Sequence, residues 1–498
     1  MRNNFKKALV SSLALATAVT GLAGCSPKEN AKPEASATPA ASSEASAAPA
    51  EVAKPDSLKF AINVGLKVED GFDKWREEYI KKTGINLDFN FMEGNEYYQN
   101  IELSFASGDT ADVFAVGNDK LAVYAGQGAL LDITEMVENS AVLSKIDKEL
   151  MDSVRVNGKL YGVPLESGGG TVTYVRQDWL DKLGLQAPTT YDEFIDMLRK
   201  FKTLGDDVIP FTAAGLVANQ AEFYLREFYQ DATPDFVKNS EGKWVDGMTE
   251  PNMVGALERM RDAYAEGLID LEVVTNKTST CRDKWYAGNV GVFTYWAGNW
   301  YASLERRVQE NVPEAKVTPI APIKETYYIK RVPAVVSVSS LSKNPEAAFK
   351  YLIEYANDGA EGSTLFQHGV EGFHFKYDAA GKVIAEPKPS KPEEIMEKAF
   401  VSPVLASVKI ETPGYAFEVD ERIPQSNAVL DQYGRQAEIV PVSEKLSKIN
   451  ADLLAEREKT VAAIVMGQIA VEDGLAQYKV KADNLGIAQV VEELNAAQ

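Results

Sequence analysis

Histidine and cysteine are scarce in this chain of 498 residues, which contains only two of each. The histidines, His368 and His374, leave little scope for histidine-based acid–base catalysis and form no metal-binding pair. The chain also lacks a Gly-x-Ser-x-Gly segment, a phosphate-binding loop and a complete calcium loop. We therefore predict no catalytic residue, no cofactor and no metal. Because two carboxylates can suffice to cleave a glycosidic bond, the 73 acidic residues leave a polysaccharide-degrading enzyme as an alternative.

Positive charge is also in deficit, since 52 basic residues face 73 acidic ones and the formal net charge is −21. The first 24 residues hold three of the basic residues and no acidic one, so the remainder is more acidic still. An acidic surface argues against nucleic acid and anionic lipid headgroups as partners. A local ligand pocket can nevertheless carry the opposite charge.

Long hydrophobic runs are missing as well. The apolar run Ala8–Val19 follows three basic residues and is too short to span a membrane, which is typical of a secretory signal. Leu22–Cys25 resembles the lipobox of bacterial lipoproteins, in which the cysteine accepts a lipid such as palmitate. We expect a signal peptide over 1–24 and a lipid on Cys25 that anchors the protein to the extracytoplasmic face of the cell membrane. The alternative is an ordinary signal peptide followed by a cysteine through chance.

Residues 25–56 contain mostly Ala, Ser, Pro, Glu and Lys, with almost no large apolar side chain. Such a segment cannot bury enough surface to offset its chain entropy, so we predict a disordered tether of about 30 Å reach. If Cys25 carries a lipid, Cys281 has no disulfide partner. We expect Cys281 to be a buried, idle thiol, with a reactive nucleophile as the alternative.

The remaining residues, 57–498, are too many for one ordinary hydrophobic core and suggest two lobes. Apolar residues alternate over 58–62 and again over 85–91, whereas between them they recur at helical spacing over 72–80. Gly84 is a suitable stop for this helix. The order strand, helix, strand predicts a βαβ unit in a parallel sheet with a right-handed crossover.

Later segments continue the mixture of strands and helices. Strands are predicted at 112–116, 290–294 and 332–338. Thr190 with Glu193 forms a capping box at the start of a helix. Further helices are predicted to begin at the segments Asn344-Pro345-Glu346 and Ser443.

Several segments have the residue order of one known family. They are Ser107–Phe114, Tyr124–Thr134, Asn157–Pro164, Arg176–Thr190 and Gly369–His374. Together they resemble the extracellular solute-binding proteins of carbohydrate ABC importers, in particular the larger lipoprotein members. The first segment departs from the family pattern, because Ala111 stands where proline is usual. Any one match is weak, but the ordered set is specific.

The resemblance implies a two-lobe, periplasmic-binding-protein-like α/β fold whose lobes close on a ligand about a hinge. It implies discontinuous lobes, with lobe 1 made of 57–166 and 325–385 and lobe 2 made of 167–324 and 386–498. Three glycines after Glu166 favour a first crossing there, a plain surface loop being the alternative. The implied partners of this monomeric protein are a small solute and the permease subunits of an ABC importer.

The segment Tyr295–Trp300 is the strongest candidate for ligand contact. It follows a predicted strand at the sheet edge where open α/β sheets bind ligands, and it resembles the family's loop with a sugar-stacking tryptophan. Sugars stack on aromatic rings and accept or donate hydrogen bonds with planar carboxylates and amides. We therefore assign Tyr295, Trp296, Asn299 and Trp300 to the site. The alternative places both tryptophans in the core.

Five polar residues complete the predicted ligand site. Asn118 and Asp119 match the family's polar loop in the first lobe, although an Asx turn would explain them equally. Glu166 resembles an inter-lobe carboxylate of the family, and Glu371 could bond hydroxyls or brace its own loop. Arg331 could meet an acidic sugar, whereas a solvated surface arginine is the alternative.

The sequence thus predicts a secreted, lipid-anchored receptor that captures an oligosaccharide or another small solute and hands it to an ABC importer. A secreted polysaccharide-degrading enzyme is the first alternative. A receptor for a peptide or a lipid precursor on the same scaffold is the second, because aromatic side chains would serve those ligands too.

Overall fold

The computed structural model describes residues 52–62, 71–91, 96–165, 169–217, 224–381, 383–386 and 420–497. The predicted signal peptide, most of the tether, Cys25 and Glu166 lie outside these ranges. Within them, no helix is long and apolar enough to cross a membrane. The chain from Val52 onward forms one compact unit.

The strands of the described residues are short. Numbered β1 to β17 in chain order, they are Ser57–Ile62, Asn86–Phe91, Val113–Val116, Arg155–Val156, Lys159–Leu160, Val163–Pro164, Thr171–Arg176, Ile209–Thr212, Phe236–Lys238, Trp244–Asp246, Val290–Trp296, Val317–Pro319, Tyr328–Lys330, Val335–Val338, Phe375–Tyr377, Val383–Ala385 and Gly434–Gln436.

Helices alternate with these strands. Numbered α1 to α17, they are Phe72–Thr83, Glu96–Ser107, Asn118–Gly126, Thr134–Glu138, Lys148–Asp152, Gln177–Leu183, Tyr191–Lys202, Arg226–Tyr229, Asn252–Ala265, Thr278–Ala287, Asn299–Gln309, Pro345–Ala348, Glu361–His368, Arg422–Tyr433, Glu444–Val465, Val471–Leu485 and Ile487–Ala496. Leu143–Lys145 and Gly247–Thr249 are 3-10 helices, and Phe349–Glu354 continues α12 as a π-helix.

The first lobe is built on a sheet with the strand order β2-β1-β3-β14-β6. Strand β1 pairs in parallel with both β2 and β3, so the predicted βαβ unit at the start of the fold is confirmed. Strand β14 returns from a distant part of the chain and pairs antiparallel with β3 and β6. On α1, the side chains of Phe72, Trp75 and Tyr79 are buried, as their helical spacing predicts.

The second lobe is built on a sheet with the order β12-β7-β11-β8. Strand β11 is its centre, parallel to β8 and antiparallel to β7. Both sheets therefore mix parallel and antiparallel pairs, which is the arrangement expected when the chain passes between lobes more than once. Each sheet has its own cluster of buried apolar side chains.

Membership of the two clusters shows where the chain passes between them. Leu165 belongs to the cluster of the first sheet and Val172 to that of the second. Tyr328 still belongs to the second cluster, whereas Val332 belongs to the first. The second passage therefore lies between Tyr328 and Val332, a few residues after the predicted boundary at 325. The lobe boundaries as a whole stay a prediction.

Two local predictions have direct structural outcomes. Thr190 caps α7 by accepting a hydrogen bond from the main-chain N of Glu193 (3.2 Å), but the Glu193 carboxylate returns to the main-chain N of Thr189 (2.8 Å) rather than to Thr190. Cys281 is buried in α10, where the hydroxyl of Thr212 lies 3.6 Å from its sulfur. Burial raises the pKa of Cys281 to about 11, which confirms a buried thiol held in its neutral form.

Candidate functional site between the lobes

Three chain segments run side by side where the lobes meet. Gly170 forms an isolated antiparallel bridge with Lys330, and β13, which contains Lys330, pairs in parallel with β17. A side chain could not be accommodated at Gly170, since a Cβ atom there would lie 2.5 Å from the main-chain oxygen of Ile329. This close approach, and not only backbone freedom, explains why glycine is needed at the first crossing.

A cavity of about 410 Å³ opens beside these segments. Asn118, at the start of α3, represents the first lobe, and the remaining described lining comes from the second lobe and the crossing segments. The lining residues that matter for recognition are Asn118, Arg226, Trp244, Tyr327, Arg331 and Arg435. The cavity therefore lies where a bound molecule would touch residues of both lobes.

Arginine is the dominant charged residue of this lining. Arg226 is only 2% exposed, and its Nε and Nη2 atoms have no hydrogen-bond partner among the described residues. Its Nη1 atom makes a long contact of 3.4 Å with the main-chain oxygen of Ala232. The Nε atom of Arg331 is likewise buried without a partner in the described part of the chain. Arg435 completes the group from the exposed side.

Aromatic rings support all three guanidinium groups. The guanidinium carbons of Arg226 and Arg435 lie 5.0 and 4.0 Å from the centre of the Tyr327 ring. The guanidinium carbon of Arg331 lies 5.1 Å from the centre of a ring of Trp296. Such cation–π contacts stabilise a charge by about 0.5–2 kcal/mol, which offsets part of the cost of removing it from water.

Two of the three acidic residues in the described lining are paired with cations. Asp235 pairs with Arg457 at 2.8 Å, and Glu438 pairs with Lys238 at 2.7 Å. Asp231 is exposed at the rim. The described lining therefore leaves three arginines against one carboxylate, and the cavity is positive although the chain is strongly acidic.

The predicted aromatic segment is only partly directed to this cavity. Trp296 is half-buried and reaches the site through Arg331, and Asn118 and Arg331 line the same cavity. Tyr295 is 4% exposed, accepts a hydrogen bond from Arg282 (3.0 Å), and burial raises its pKa. Among the described contacts, Tyr295 thus has a packing role.

Trp300 and Asn299 also lie away from the described cavity lining. The Trp300 ring packs edge-on against Tyr295 with centres 5.0 Å apart, and Asn299 is exposed at the start of α11. Gly298 allows the turn between β11 and α11, since its φ is +76° and its main-chain N donates to the hydroxyl of Ser426 (2.8 Å). The turn points Trp296 and Trp300 into different surroundings.

One further predicted residue, Glu371, does not join the described cavity lining. Glu371 is exposed in the first lobe, where it bridges to Phe375. Its neighbour His374 is buried and accepts a hydrogen bond from the main-chain N of Val370 (2.9 Å), and a Cβ atom at Gly369 would lie 2.7 Å from the His374 ring. The motif around Glu371 therefore shapes its own loop. The side chain of Asp119 and all of Glu166 are outside the described structure.

Three residues of the site were missed by sequence reasoning. Arg226, Tyr327 and Arg435 are far apart in the chain and share no local pattern. One signal was present, because Arg226-Glu227 interrupts an otherwise apolar and aromatic run from Tyr224 to Tyr229. Charges in such a run are expected to be buried, and Glu227 is indeed fully enclosed, which raises the pKa of its carboxyl.

A second, larger groove of about 1030 Å³ adjoins the cavity. The two share Lys238, Trp244 and the stretch 436–438. None of the predicted ligand residues lines the larger groove in the described part of the chain. We therefore take the smaller cavity as the recognition site and the groove as its extension along the lobes. No group of three or more potential metal-binding side chains occurs among the described residues.

Two curated proteins of Bacillus subtilis are similar in sequence to this chain. Lipoprotein LipO of Bacillus subtilis is 21% identical over 59% of this chain and 62% of its own length. The polygalacturonan/rhamnogalacturonan-binding protein YtcQ of the same organism is 23% identical over 61% of this chain and 64% of its own. The chain thus spans just under two thirds of the curated relatives it matches.

Solved structures share the whole fold. An HMO-binding, ABC-transporter-associated solute-binding protein from Bifidobacterium longum infantis has a TM-score of 0.68 at 17% identity, over 89% of this chain and 98% of its own. This likeness establishes the two-lobe α/β fold. Residues 67–361 match the sequence pattern of one family, whose members bind solutes and are not defined by catalysis. The chain belongs to the bacterial extracellular solute-binding proteins.

Proposed function

We propose that this protein is a lipid-anchored extracellular receptor that binds an oligosaccharide and delivers it to an ABC importer. The observation that carries the proposal is the cavity between the lobes, whose described lining includes guanidinium, indole, phenol and amide side chains, those of Arg226, Arg331, Arg435, Trp244, Tyr327 and Asn118. Saccharides need an aromatic surface for their C–H faces and several hydrogen-bonding groups for their hydroxyls, and this lining offers both.

The names of the relatives support each part of the proposal. YtcQ is named for binding polygalacturonan and rhamnogalacturonan, the Bifidobacterium protein for its association with an ABC transporter, and LipO as a lipoprotein. For this chain, the segment Leu22–Cys25 supports the lipid anchor, and the membership of a solute-binding family favours a receptor over an enzyme.

Binding is tested by thermal unfolding of residues 26–498 with a panel of neutral and acidic oligosaccharides. A ligand present at 100 times its Kd should stabilise the folded state by about 2.7 kcal/mol, which raises Tm measurably. Chromatography of the recovered saccharide then checks for turnover. Cleavage products would favour the polysaccharide-degrading enzyme, and stabilisation by peptides alone would favour the peptide receptor.

The anchor is tested separately in intact cells. The full chain with Cys25→Ser should be released into the medium, while the unaltered chain stays with the membrane and incorporates labelled palmitate. Retention of the Cys25→Ser variant at the membrane would contradict the lipid anchor. Gel filtration of residues 26–498 should show a monomer, with and without ligand.

A further inference from the structure

Residues that line the cavity carry buried hydrogen-bond donors that have no partner in the described structure. They are Nε and Nη2 of Arg226, Nε of Arg331 and Nε1 of Trp244. Each lies on a residue that lines the cavity, and no buried acceptor of the described lining is left without a partner. The unpartnered groups on these residues are therefore all donors, and a ligand would have to supply hydrogen-bond acceptors. A site built for neutral hydroxyl groups would differ, because each hydroxyl both donates and accepts.

Charge adds to this requirement. Arg226 has no carboxylate within ion-pair distance among the described residues, and the same holds for Arg331 and Arg435. A buried cation without a counter-charge destabilises the folded protein, since its lost hydration is not replaced. The contacts with Tyr327 and Trp296 offset only part of that cost. A negatively charged ligand would offset the remaining cost of burying the cation.

The chemistry of guanidinium narrows the ligand further. Its planar fork of N–H groups matches the two oxygens of a carboxylate, and charge-assisted hydrogen bonds of this kind are about twice as strong as neutral ones. Uronic acids are sugars that carry such a carboxylate. Their hydroxyls and C–H faces suit the same cavity, whose described lining also includes Tyr327, Trp244 and Asn118.

We propose that Arg226, Arg331 and Arg435 form an anion-binding subsite that selects oligosaccharides containing uronic acid. This inference rests on the proposed function and specifies the substrate class of the same cavity. It also explains why a chain of net charge −21 has a positive pocket. An anionic ligand requires positive charge only at its binding site, whatever the net charge of the chain.

The test compares saccharides that differ only in charge. Binding of tri-galacturonate and of its fully methyl-esterified form to residues 26–498 is measured by isothermal titration calorimetry at low and high salt. We expect the acid to bind at least tenfold more tightly than the ester, and we expect this preference to shrink as salt screens the charges. Equal affinity for acid and ester would overturn the subsite while leaving the receptor function intact. If neither these two nor any neutral oligosaccharide binds, the proposed function fails and this inference fails with it.

Variants assign the preference to the arginines. Arg331→Gln and Arg435→Gln should each weaken tri-galacturonate binding about tenfold and change ester binding little. Arg307→Gln is the matched control, because Arg307 also lies over a tyrosine ring, 5.1 Å from that of Tyr286, but outside the cavity lining. Loss of ester and acid binding by the same factor would contradict charge recognition.

Arg226→Met separates ligand recognition from support of the fold. If Arg226 serves the ligand, this variant should weaken tri-galacturonate binding while the Tm of the unliganded protein stays the same or rises, since an unpaired buried charge has been removed. A lower Tm together with unchanged acid-over-ester preference would assign Arg226 to the fold and remove it from the subsite.

Discussion

The guanidinium carbon of Arg331 lies 5.1 Å from the centre of a ring of Trp296, which joins a crossing segment to the end of β11. A Cβ atom at Gly169 would lie 3.8 Å from the same indole, so both the first and the second crossing pack on Trp296. Trp296 therefore packs against both crossing segments and supports Arg331, which lines the cavity.

Trp296→Ala should lower the affinity for the best-binding oligosaccharide about threefold to tenfold, because one stacking surface is lost and Arg331 is no longer held. Isothermal titration calorimetry measures this change. Trp300→Ala is the matched control, since Trp300 packs on Tyr295 and not on the described cavity lining. Trp300→Ala should lower Tm, because a packed side chain is lost, and should change the affinity little. A larger loss of affinity for Trp300→Ala than for Trp296→Ala would contradict the assignment.

Gly170→Ala should destabilise the protein by about 1–3 kcal/mol, because the new Cβ atom would meet the main-chain oxygen of Ile329 at 2.5 Å and a methyl carbon of Leu430 at 2.8 Å. Thermal and denaturant unfolding measure the change. Gly255→Ala within α9 is the control and should stabilise by about 0.5–1 kcal/mol, since its Cβ atom meets only the flexible end of Arg259. Equal Tm values for both variants would show that the crossing tolerates a side chain.

Arg457→Met should cost about 3–5 kcal/mol of stability, because it leaves the carboxylate of Asp246 buried without a cation, with only the hydroxyl of Tyr478 (2.7 Å) and the more distant main-chain N of Met248 (3.4 Å) to donate to it. Urea unfolding measures the loss. In Lys448→Ala, an exposed pair with Glu444 is removed instead, and stability should change by less than about 1 kcal/mol. If Arg457→Met were no worse than Lys448→Ala, the buried pair would not hold the C-terminal helices to β10.

The sequence predicted the architecture of this protein better than its binding residues. The family signature around Arg176 is structural: Arg176 is buried, holds Asp178 with two hydrogen bonds of 2.8 and 2.6 Å, and donates to the main-chain oxygen of Gly288. Asp112 in the first motif likewise accepts from the main-chain N of Lys59 (2.8 Å) and from Ser342 (2.6 Å). Such motifs identify a fold because they join its parts.

The binding residues are less visible for a physical reason. Arg226, Tyr327 and Arg435 come from three separate segments, brought together partly by the pairing of β13 with β17. Each of these strands is three residues long, so neither leaves a hydrophobic period that a single sequence could show. The position of Asn118 and Trp296 just after a predicted strand drew attention to both, but this pattern could not separate Trp296, which contacts Arg331, from Trp300, which packs on Tyr295.

Glu227 should make stability depend on pH in a direction opposite to that of a paired carboxylate. Burial raises the pKa of its carboxyl above the ordinary 4.5, and one oxygen accepts from the hydroxyl of Thr173 (2.5 Å) while the other has no partner among the described residues. Above pH 4.5 the unfolded chain loses this proton and the folded chain retains it. The contribution of Glu227 is therefore complete below pH 4.5 and is lost as pH rises through the raised pKa.

Glu227→Gln should remove this component, so its free energy of unfolding should fall less between pH 4.5 and pH 8 than that of the unaltered protein. Urea unfolding across this range, with both proteins in the same buffers, gives the difference directly, and the other titrating groups cancel because they are common to both. The exposed Glu444→Gln should retain the full pH dependence. If Glu227→Gln and the unaltered protein show parallel curves, Glu227 is ionised in the folded state and Arg226 beside it has a counter-charge after all, which would also weaken the case for a ligand carboxylate.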